Sequence, residues 1–162
     1  MKNIFITSNS KQTQKLGEIL VKELKGGEII CLTGELGSGK TTFAQGVLYG
    51  LGAKKPYTSP TFVVMKEYKA KFSIFNFQFS NNSQIPKLEK QKKYKILNIY
   101  HIDAYRVGAK DILDLGWEEI VASKNNIVIV EWAERIKAII PKKAIWFGFE
   151  HLKEDERKIY IK

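Results

Sequence analysis

The sequence predicts a three-layer α/β domain whose central β-sheet is largely parallel. Apolar stretches of strand length alternate with segments in which apolar residues recur at helical spacing. A glycine-rich segment, residues 34–41, stands between one such strand and one such helix. Strand–loop–helix units of this kind return across the face of a parallel sheet, which favours this architecture. The 162 residues suit one domain with a single hydrophobic core.

The N-terminal part of the chain is predicted to form a strand and a helix. Residues 3–7 have the length and apolar character of a short strand. Either Ser8 or Ser10 can cap a helix that continues to about residue 24. Two glycines at positions 26 and 27 then end it. Its apolar residues recur at helical spacing and are expected to face the core: Leu16, Ile19, Leu20 and Leu24.

A strand and a helix flank the glycine-rich segment. Residues 28–33 are predicted to form a buried strand that leads into it, and residues 42–51 a helix that leads out. The apolar residues of this helix fall on one face: Phe43, Val47, Leu48 and Leu51.

The remainder of the chain continues the alternation of strands and helices. Pro60 keeps the preceding loop non-helical. Helices are predicted at residues 109–122, with a bend at Gly116, and at residues 132–139. Strands are predicted at residues 62–68, 95–102, 127–131, 144–149 and 158–161.

Residues from about 70 to 93 carry mixed signals. Aromatic residues over positions 72–79 indicate an extended stretch such as a hairpin arm, and residues 81–86 have the composition of a turn. A lysine-rich run follows. We interpret this stretch as a peripheral insertion within a single domain that spans residues 1–162.

Residues 34–41 match the phosphate-binding pattern G-x-x-x-x-G-K-[ST] at every required position. Glycines allow the backbone to wrap around a phosphate chain, and the following helix directs its N-terminal amides at the anion. Lys40 is expected to reach the β- and γ-phosphates and the Thr41 hydroxyl to bind magnesium. The flanking strand and helix disfavour the alternative, a glycine-rich turn that binds nothing. The sequence therefore predicts a nucleotide-phosphate site.

Two acidic residues follow apolar strands and are candidate partners of the metal. Glu131 ends the run of β-branched residues at 127–130, where a buried acid is costly unless it has a partner. Asp103 follows the strand at 95–102, although an aspartate at a strand end also stabilises turns. A hydroxyl-rich loop with Thr58, Ser59 and Thr61 follows the first helix of the site, where some phosphate-loop proteins sense the γ-phosphate.

The charge of the chain leaves the question of nucleic acid open. The formal net charge is +10. It comes from lysine rather than arginine, whereas sequence-reading nucleic-acid surfaces usually draw on arginine. We favour a solvated basic face over a dedicated nucleic-acid surface. A weak electrostatic contribution to an RNA-containing complex stays compatible with this composition.

The apolar runs and the single cysteine favour a cytoplasmic protein. No run approaches the length that spans a bilayer, and the N-terminus lacks the pattern of a signal peptide. One cysteine, Cys31, cannot form an internal disulfide and is expected to be a small buried hydrophobe.

Four motifs together resemble one family. The phosphate-binding loop, Ser-Pro-Thr-Phe at 59–62, His-Ile-Asp-Ala-Tyr-Arg at 101–106 and Val-Glu-Trp at 130–132 have the order and spacing of the TsaE proteins. These are small bacterial ATPases of tRNA threonylcarbamoyladenosine biosynthesis. The resemblance extends from the N-terminal helix to residue 132 and continues more weakly beyond. It implies a P-loop NTPase-like fold, ATP and Mg²⁺ as ligands, and TsaD and TsaB as partners, with tRNA reached through the complex and no membrane involved.

The resemblance also assigns roles to individual residues. Lys40, Asp103 and Glu131 are implied to be catalytic, Asp103 by positioning the attacking water or the metal. Thr41 and Glu131 are implied to bind Mg²⁺, Glu131 directly or through water. Thr61 belongs to a segment that resembles the family's mobile loop. The nucleotide is implied to contact Thr61 and the loop residues Leu36, Gly37, Ser38, Gly39, Lys40, Thr41 and Thr42.

Some residues and functions keep more than one interpretation. Tyr105 and Arg106 match the motif, but nucleotide binding, partner binding and packing all fit them. Trp132 fits a core aromatic, a residue near the nucleotide or a partner contact. His101 is expected to be structural rather than catalytic.

Three other functions would share the phosphate-binding loop. A small-molecule kinase would usually need a lid with several arginines, and the chain has three scattered ones. A non-catalytic assembly factor would bind ATP only to order a loop. A GTPase is disfavoured because no Asn-Lys-x-Asp segment is present.

The stretch between residues 68 and 95 is longer than in many TsaE proteins, which affects the expected partner surface and not the nucleotide site.

Overall fold

A computed structural model describes residues 3–79 and 88–162 as an α/β domain. Four α-helices occur in this part of the chain: α1 (Ser10–Leu20), α2 (Lys40–Gly50), α3 (Ala109–Leu113) and α4 (Trp117–Ala122). Two 3₁₀ segments span Val21–Glu23 and Ala133–Ile139. The strands are β1 (Ile4–Thr7), β2 (Ile29–Gly34), β3 (Met65–Phe79), β4 (Leu88–Asp103), β5 (Asn126–Glu131), β6 (Ile145–His151) and β7 (Arg157–Ile161).

The seven strands form one mixed sheet with a parallel centre. Their order is β1-β7-β6-β2-β5-β4-β3. Strand β2 pairs in parallel with β5 and β6, and β5 pairs in parallel with β4. The pairs at the two sides of the sheet, β1 with β7, β7 with β6 and β3 with β4, are antiparallel. The prediction of a largely parallel central sheet is confirmed.

Helices cover both faces of the sheet and create two buried clusters. In β2, Ile30 and Leu32 face the cluster that contains α1 and α2, whereas Ile29 and Cys31 face the cluster that contains α3 and α4. This alternation follows from the two-residue period of a strand. Burial raises the pKa of the Cys31 thiol to about 12, so Cys31 behaves as the buried hydrophobe that the sequence predicts.

Helices α1 and α2 pack through glycines. A Cβ atom at Gly17 would lie 2.3 Å from the carbonyl oxygen of Phe43, and one at Gly46 would lie 2.0 Å from that of Gln14. Helix α1 therefore buries Thr13 and Gly17, while Ile19 is 48% exposed. The apolar face predicted for α1 is wrong at this residue, because close backbone contact favours small residues over large apolar ones. The predicted face of α2 is buried throughout.

The predicted starts of α1 and β3 also differ from the structure. Asn9 caps α1 by accepting a hydrogen bond from the amide of Gln12, and Ser10 is already helical, so neither predicted serine is the cap. Strand β3 begins at Met65 rather than at residue 62. The amides of Val63 and Val64 donate to the carbonyl oxygen of Pro60, which holds residues 60–64 in a turn.

Strands β3 and β4 pair over their whole length, from Met65 with Ile102 to Phe79 with Leu88. The extended arm predicted after residue 72 is thus one strand of a long antiparallel pair. The turn predicted at residues 81–86 lies outside the described residues. None of the helices within residues 3–79 and 88–162 combines the length and the apolar character needed to cross a membrane.

Candidate nucleotide site

The phosphate-binding loop connects β2 to α2, as the motif predicts. Gly34, Gly37 and Gly39 have φ angles of 140°, 74° and 103°, which residues with a side chain rarely adopt. A Cβ atom at Gly34 would also lie 2.4 Å from the carbonyl oxygen of Phe149. Helix α2 begins at Lys40, so the unpaired amides of its first turn lie at the loop. This backbone can bind an anion.

Lys40 points back into the loop. Its Nζ atom donates to the carbonyl oxygens of Gly34 and Glu35, both at 2.7 Å, and lies 3.8 Å from the centre of the Trp132 ring. The side chain is buried, with 4% of its surface exposed. Burial lowers the pKa of Lys40, and the charges of Glu131, Glu134 and Asp103 partly oppose that change.

Glu131 joins the start of α2 to the sheet. Thr41 donates from Oγ1 to Oε2 of Glu131 at 2.6 Å. The other carboxylate oxygen, Oε1, lies 2.8 Å from Nε2 of His101. Glu131 is 1% exposed. The sequence predicted that an acid here needs a partner, and it has two.

Asp103 is held by the loop at 59–64. Thr61 donates from Oγ1 to Oδ2 of Asp103 at 2.6 Å, and the Ser59 hydroxyl reaches the same oxygen at 3.4 Å. The amide of Tyr105 donates to Oδ1 at 2.8 Å. Three groups from two loops thus orient this carboxylate.

Strand register brings these acids together. Asp103 and Glu131 are neighbours across the parallel pair of β4 and β5, and His101 pairs with Ile129 two residues earlier. Paired residues share a face of the sheet, and here that face is the one that α2 covers. The N-terminus of α2 therefore meets both strand ends.

A cleft of about 460 Å³ lies between the phosphate-binding loop, the strand ends and the loop at 59–64. Its lining includes the following predicted residues: Leu36, Gly37, Gly39, Lys40, Thr41, Thr42, Thr61, Asp103 and Glu131. Tyr105, Arg106 and Trp132, which kept more than one interpretation, also line it. Ser38 does not line it, because its side chain is buried behind the loop. Any contact from Ser38 to a nucleotide must therefore come from its backbone.

The cleft suits magnesium bound together with a nucleotide. No group of three histidine, cysteine or acidic side chains able to hold a metal occurs among the described residues. Mg²⁺ instead typically takes one or two protein oxygens and completes its shell with phosphates and water. The hydroxyl of Thr41 and the carboxylate of Glu131, 2.6 Å apart, supply such oxygens.

Two contacts at the site were not predicted. His101 contacts Glu131, and the signal in the sequence was its position two residues before Asp103 on one strand. Trp132 adopts a left-handed conformation with φ of 58°, which turns the chain directly after Glu131 and sets the indole against Lys40. Nothing in the local sequence indicates this conformation.

Comparison with known proteins identifies a family. Residues 7–90 and 76–159 match the profile described as "Threonylcarbamoyl adenosine biosynthesis protein TsaE". A relative named "tRNA threonylcarbamoyladenosine biosynthesis protein TsaE" from Aquifex aeolicus is 34% identical over 96% of this chain and 92% of its own. Its namesake from Bacillus subtilis is 30% identical over 94% of this chain and 80% of its own. The crystal structure of Bacillus subtilis YdiB superposes with a TM-score of 0.70 at 26% identity, covering 99% of this chain and 84% of that one.

Proposed function

Since this chain belongs to the TsaE family of tRNA threonylcarbamoyladenosine biosynthesis, we propose that it is a magnesium-dependent ATPase that supports that modification. One observation carries the proposal: Thr41 and Glu131, joined by a hydrogen bond, line the same cleft as Lys40 and Asp103. Phosphate-loop ATPases use groups of these kinds: a lysine in the loop for the phosphates, a hydroxyl and an acid for the metal, and a further residue for the attacking water.

Each residue has a distinct part in the proposed reaction. Lys40 exchanges its two carbonyl partners for the β- and γ-phosphates when ATP binds, and the loop amides cradle the phosphate chain. Thr41 and Glu131 would hold Mg²⁺, and the metal, when bound, would supply positive charge that neutralises the phosphate oxygens. Asp103 orients the attacking water and accepts its proton.

The loop at 59–64 is proposed to respond to the nucleotide. Thr61 lines the cleft and donates to Asp103, so a water that binds the same carboxylate oxygen must share or displace this hydroxyl. The loop then adopts one position in the free protein and another with ATP bound. Such a change gives a partner protein a surface that depends on the nucleotide.

The proposed partners are TsaD and TsaB, and tRNA is reached through their complex. The proposed setting is the cytoplasm, where tRNA is modified.

A turnover assay tests the proposal and separates it from its alternatives. We expect the wild-type chain to hydrolyse ATP only with Mg²⁺, and Lys40→Ala and Glu131→Ala to lose this activity, each measured with and without TsaD and TsaB. Formation of modified tRNA in the reconstituted mixture should fall with the same variants. No hydrolysis in either setting would overturn the ATPase assignment. Modified tRNA formed without hydrolysis would favour an assembly factor, and transfer of phosphate to a small metabolite would favour a kinase.

The arginines of the site speak against the kinase. Arg106 lines the cleft, but Arg157 donates to backbone carbonyls of residues 153, 154 and 156, and Arg135 lies against Tyr105. Of the three arginines only Arg106 lines the cleft, whereas a kinase lid usually brings several arginines to the transferred phosphoryl group.

A further inference from the structure

Behind the cleft, His101 and Glu131 form a fully buried pair. The side chains are 1% and 2% exposed, and His101 Nε2 lies 2.8 Å from Glu131 Oε1. The other ring nitrogen, Nδ1, is buried and has no hydrogen-bond partner among the described residues. His101 does not line the cleft. It reaches the site only through Glu131.

The contact with Glu131 places a proton on Nε2 of His101. A carboxylate oxygen can only accept, so the ring nitrogen at 2.8 Å is the donor. The contact is therefore a directed hydrogen bond from His101 Nε2 to Glu131 Oε1.

Each oxygen of Glu131 consequently accepts a hydrogen bond from a different side chain. Thr41 donates to Oε2 at 2.6 Å and His101 donates to Oε1 at 2.8 Å. One donor alone leaves a carboxylate free to rotate about its terminal torsion, which has a broad energy well. Two donors fix both the torsion and the oxygen that faces the cleft.

We propose that His101 is a positioning residue that fixes the Glu131 carboxylate so that Oε2 stays beside the Thr41 hydroxyl in the cleft. Outer hydrogen bonds of this kind orient metal-binding carboxylates in other proteins and tune their affinity. The inference rests on the proposed function, because it assigns His101 to the magnesium side of that site. It predicts that His101 affects metal-assisted nucleotide binding and leaves binding of the bare phosphates intact.

Three substitutions distinguish positioning from packing. His101→Gln keeps an N–H donor near the place of Nε2, since the glutamine amide lies one bond further along the side chain than that of asparagine. His101→Asn keeps a polar amide but withdraws it to the depth of Nδ1. His101→Leu fills the space without a donor. A fourth variant, Asn126→Ala, removes the hydrogen bond to Ile120 at the start of β5 and controls for destabilisation away from the cleft.

The test is calorimetric titration of each full-length variant with ADP, in Mg²⁺ and in EDTA. The quantity compared is the ratio of the two affinities. We expect His101→Gln and Asn126→Ala to keep the wild-type ratio within about threefold. His101→Asn and His101→Leu should lower it about tenfold or more, toward the value of Glu131→Gln, while the affinity in EDTA changes less than about threefold. Turnover need not be measured.

Several outcomes would overturn the inference. If His101→Asn keeps the wild-type ratio, the residue is structural only, and this conclusion holds even where His101→Leu does not fold. An equal loss of affinity in Mg²⁺ and in EDTA also contradicts it. If the wild-type chain binds ADP equally well in Mg²⁺ and in EDTA, the metal role in the proposed function is itself wrong. If instead Mg²⁺ changes the wild-type ADP affinity as expected and the His101 variants keep the wild-type ratio, only the role of His101 is overturned.

Discussion

The two walls of the cleft differ in how they are held. We call Lys40, Thr41 and Glu131 the strand wall, because they lie where β2 leads through the loop into α2 and where β5 ends. We call residues 59–64 the loop wall. Lys40 and Glu131 are nearly fully buried. On the loop wall, Phe62 is 86% exposed, and Val64 has a φ of 65°, which strains a β-branched residue.

This difference separates binding from response. The strand wall is supported by parallel strand pairing and by a chain of short hydrogen bonds, so it can hold phosphates and metal with little rearrangement. The loop wall is attached to Asp103 through hydroxyl groups and carries a large exposed aromatic residue. Strained, exposed loops of this kind are where conformational change concentrates. Asp103 stands at the junction of the two walls.

The largest effect is expected on the strand wall. Lys40→Ala removes the cation that meets the phosphates, and we expect ATP affinity and turnover to fall at least about 100-fold. Equilibrium binding of a fluorescent ATP analogue measures the affinity. Lys22→Ala, which removes an exposed lysine from the 3₁₀ segment after α1, is the control and should change nothing. Comparable losses in both variants would contradict a specific site.

A change at the junction should separate binding from chemistry. Asp103→Asn keeps the size of the side chain but removes the charge that orients and deprotonates water. We expect turnover to fall about 100-fold while ADP affinity stays within about threefold. Steady-state kinetics together with titration of ADP measure the two quantities. Unchanged turnover would remove Asp103 from the catalytic set.

A smaller effect is expected on the loop wall. Thr61→Val removes the donor at 2.6 Å from Asp103, and we expect turnover to fall about tenfold. Thr61→Ser keeps the hydroxyl and should restore most of the activity. Ser59→Ala should cost less, because its hydroxyl lies 3.4 Å from Asp103. A larger loss from Ser59→Ala than from Thr61→Val would reverse the assignment of the two hydroxyls.

The smallest effect concerns stability and pH. Burial disfavours the charged form of Lys40, so the pKa of Lys40 in the folded protein lies below its ordinary 10.5. The unfolded chain then binds the proton more tightly, so this residue destabilises the fold at neutral pH and the cost is relieved as pH rises toward 10.5. We expect Lys40→Met to raise the free energy of unfolding by about 1 kcal/mol at pH 7.

Urea denaturation of both proteins at a series of pH values measures this difference. The advantage of Lys40→Met should shrink as pH rises, since only the wild type gains from losing the proton. A less stable Lys40→Met at pH 7 would mean that the carbonyl and indole contacts of Lys40 outweigh its burial.

The sequence predicted the local parts of the site better than the contacts between them. The phosphate-binding loop follows from residue spacing along one segment, and the acids at 103 and 131 follow from their places at strand ends. The contact between His101 and Glu131 depends on the register of β4 against β5, which no local pattern encodes. The same holds for α1, where close contact with α2 selects Thr13 and Gly17 over Ile19.

The sequence likewise did not predict the backbone conformations of two residues outside the regular elements. Val64 and Trp132 have positive φ angles, although neither residue favours them. At Val64 the turn around Pro60 imposes the conformation and delays the start of β3. At Trp132 the chain turns from the end of β5 into the next 3₁₀ segment. In both places the way the chain turns next to a strand overrides the preference of the residue itself.

Hydrogen–deuterium exchange with and without MgATP tests the central claim most directly, because one measurement reports on both walls. We expect amides of residues 126–131 to exchange slowly in either state. Residues 34–42 and 57–64 should become protected only with nucleotide, the first through phosphate contacts and the second through rearrangement of the loop. Lys40→Ala should abolish both changes. Protection confined to residues 34–42 would contradict a responsive loop wall, and no protection there would contradict the nucleotide site itself.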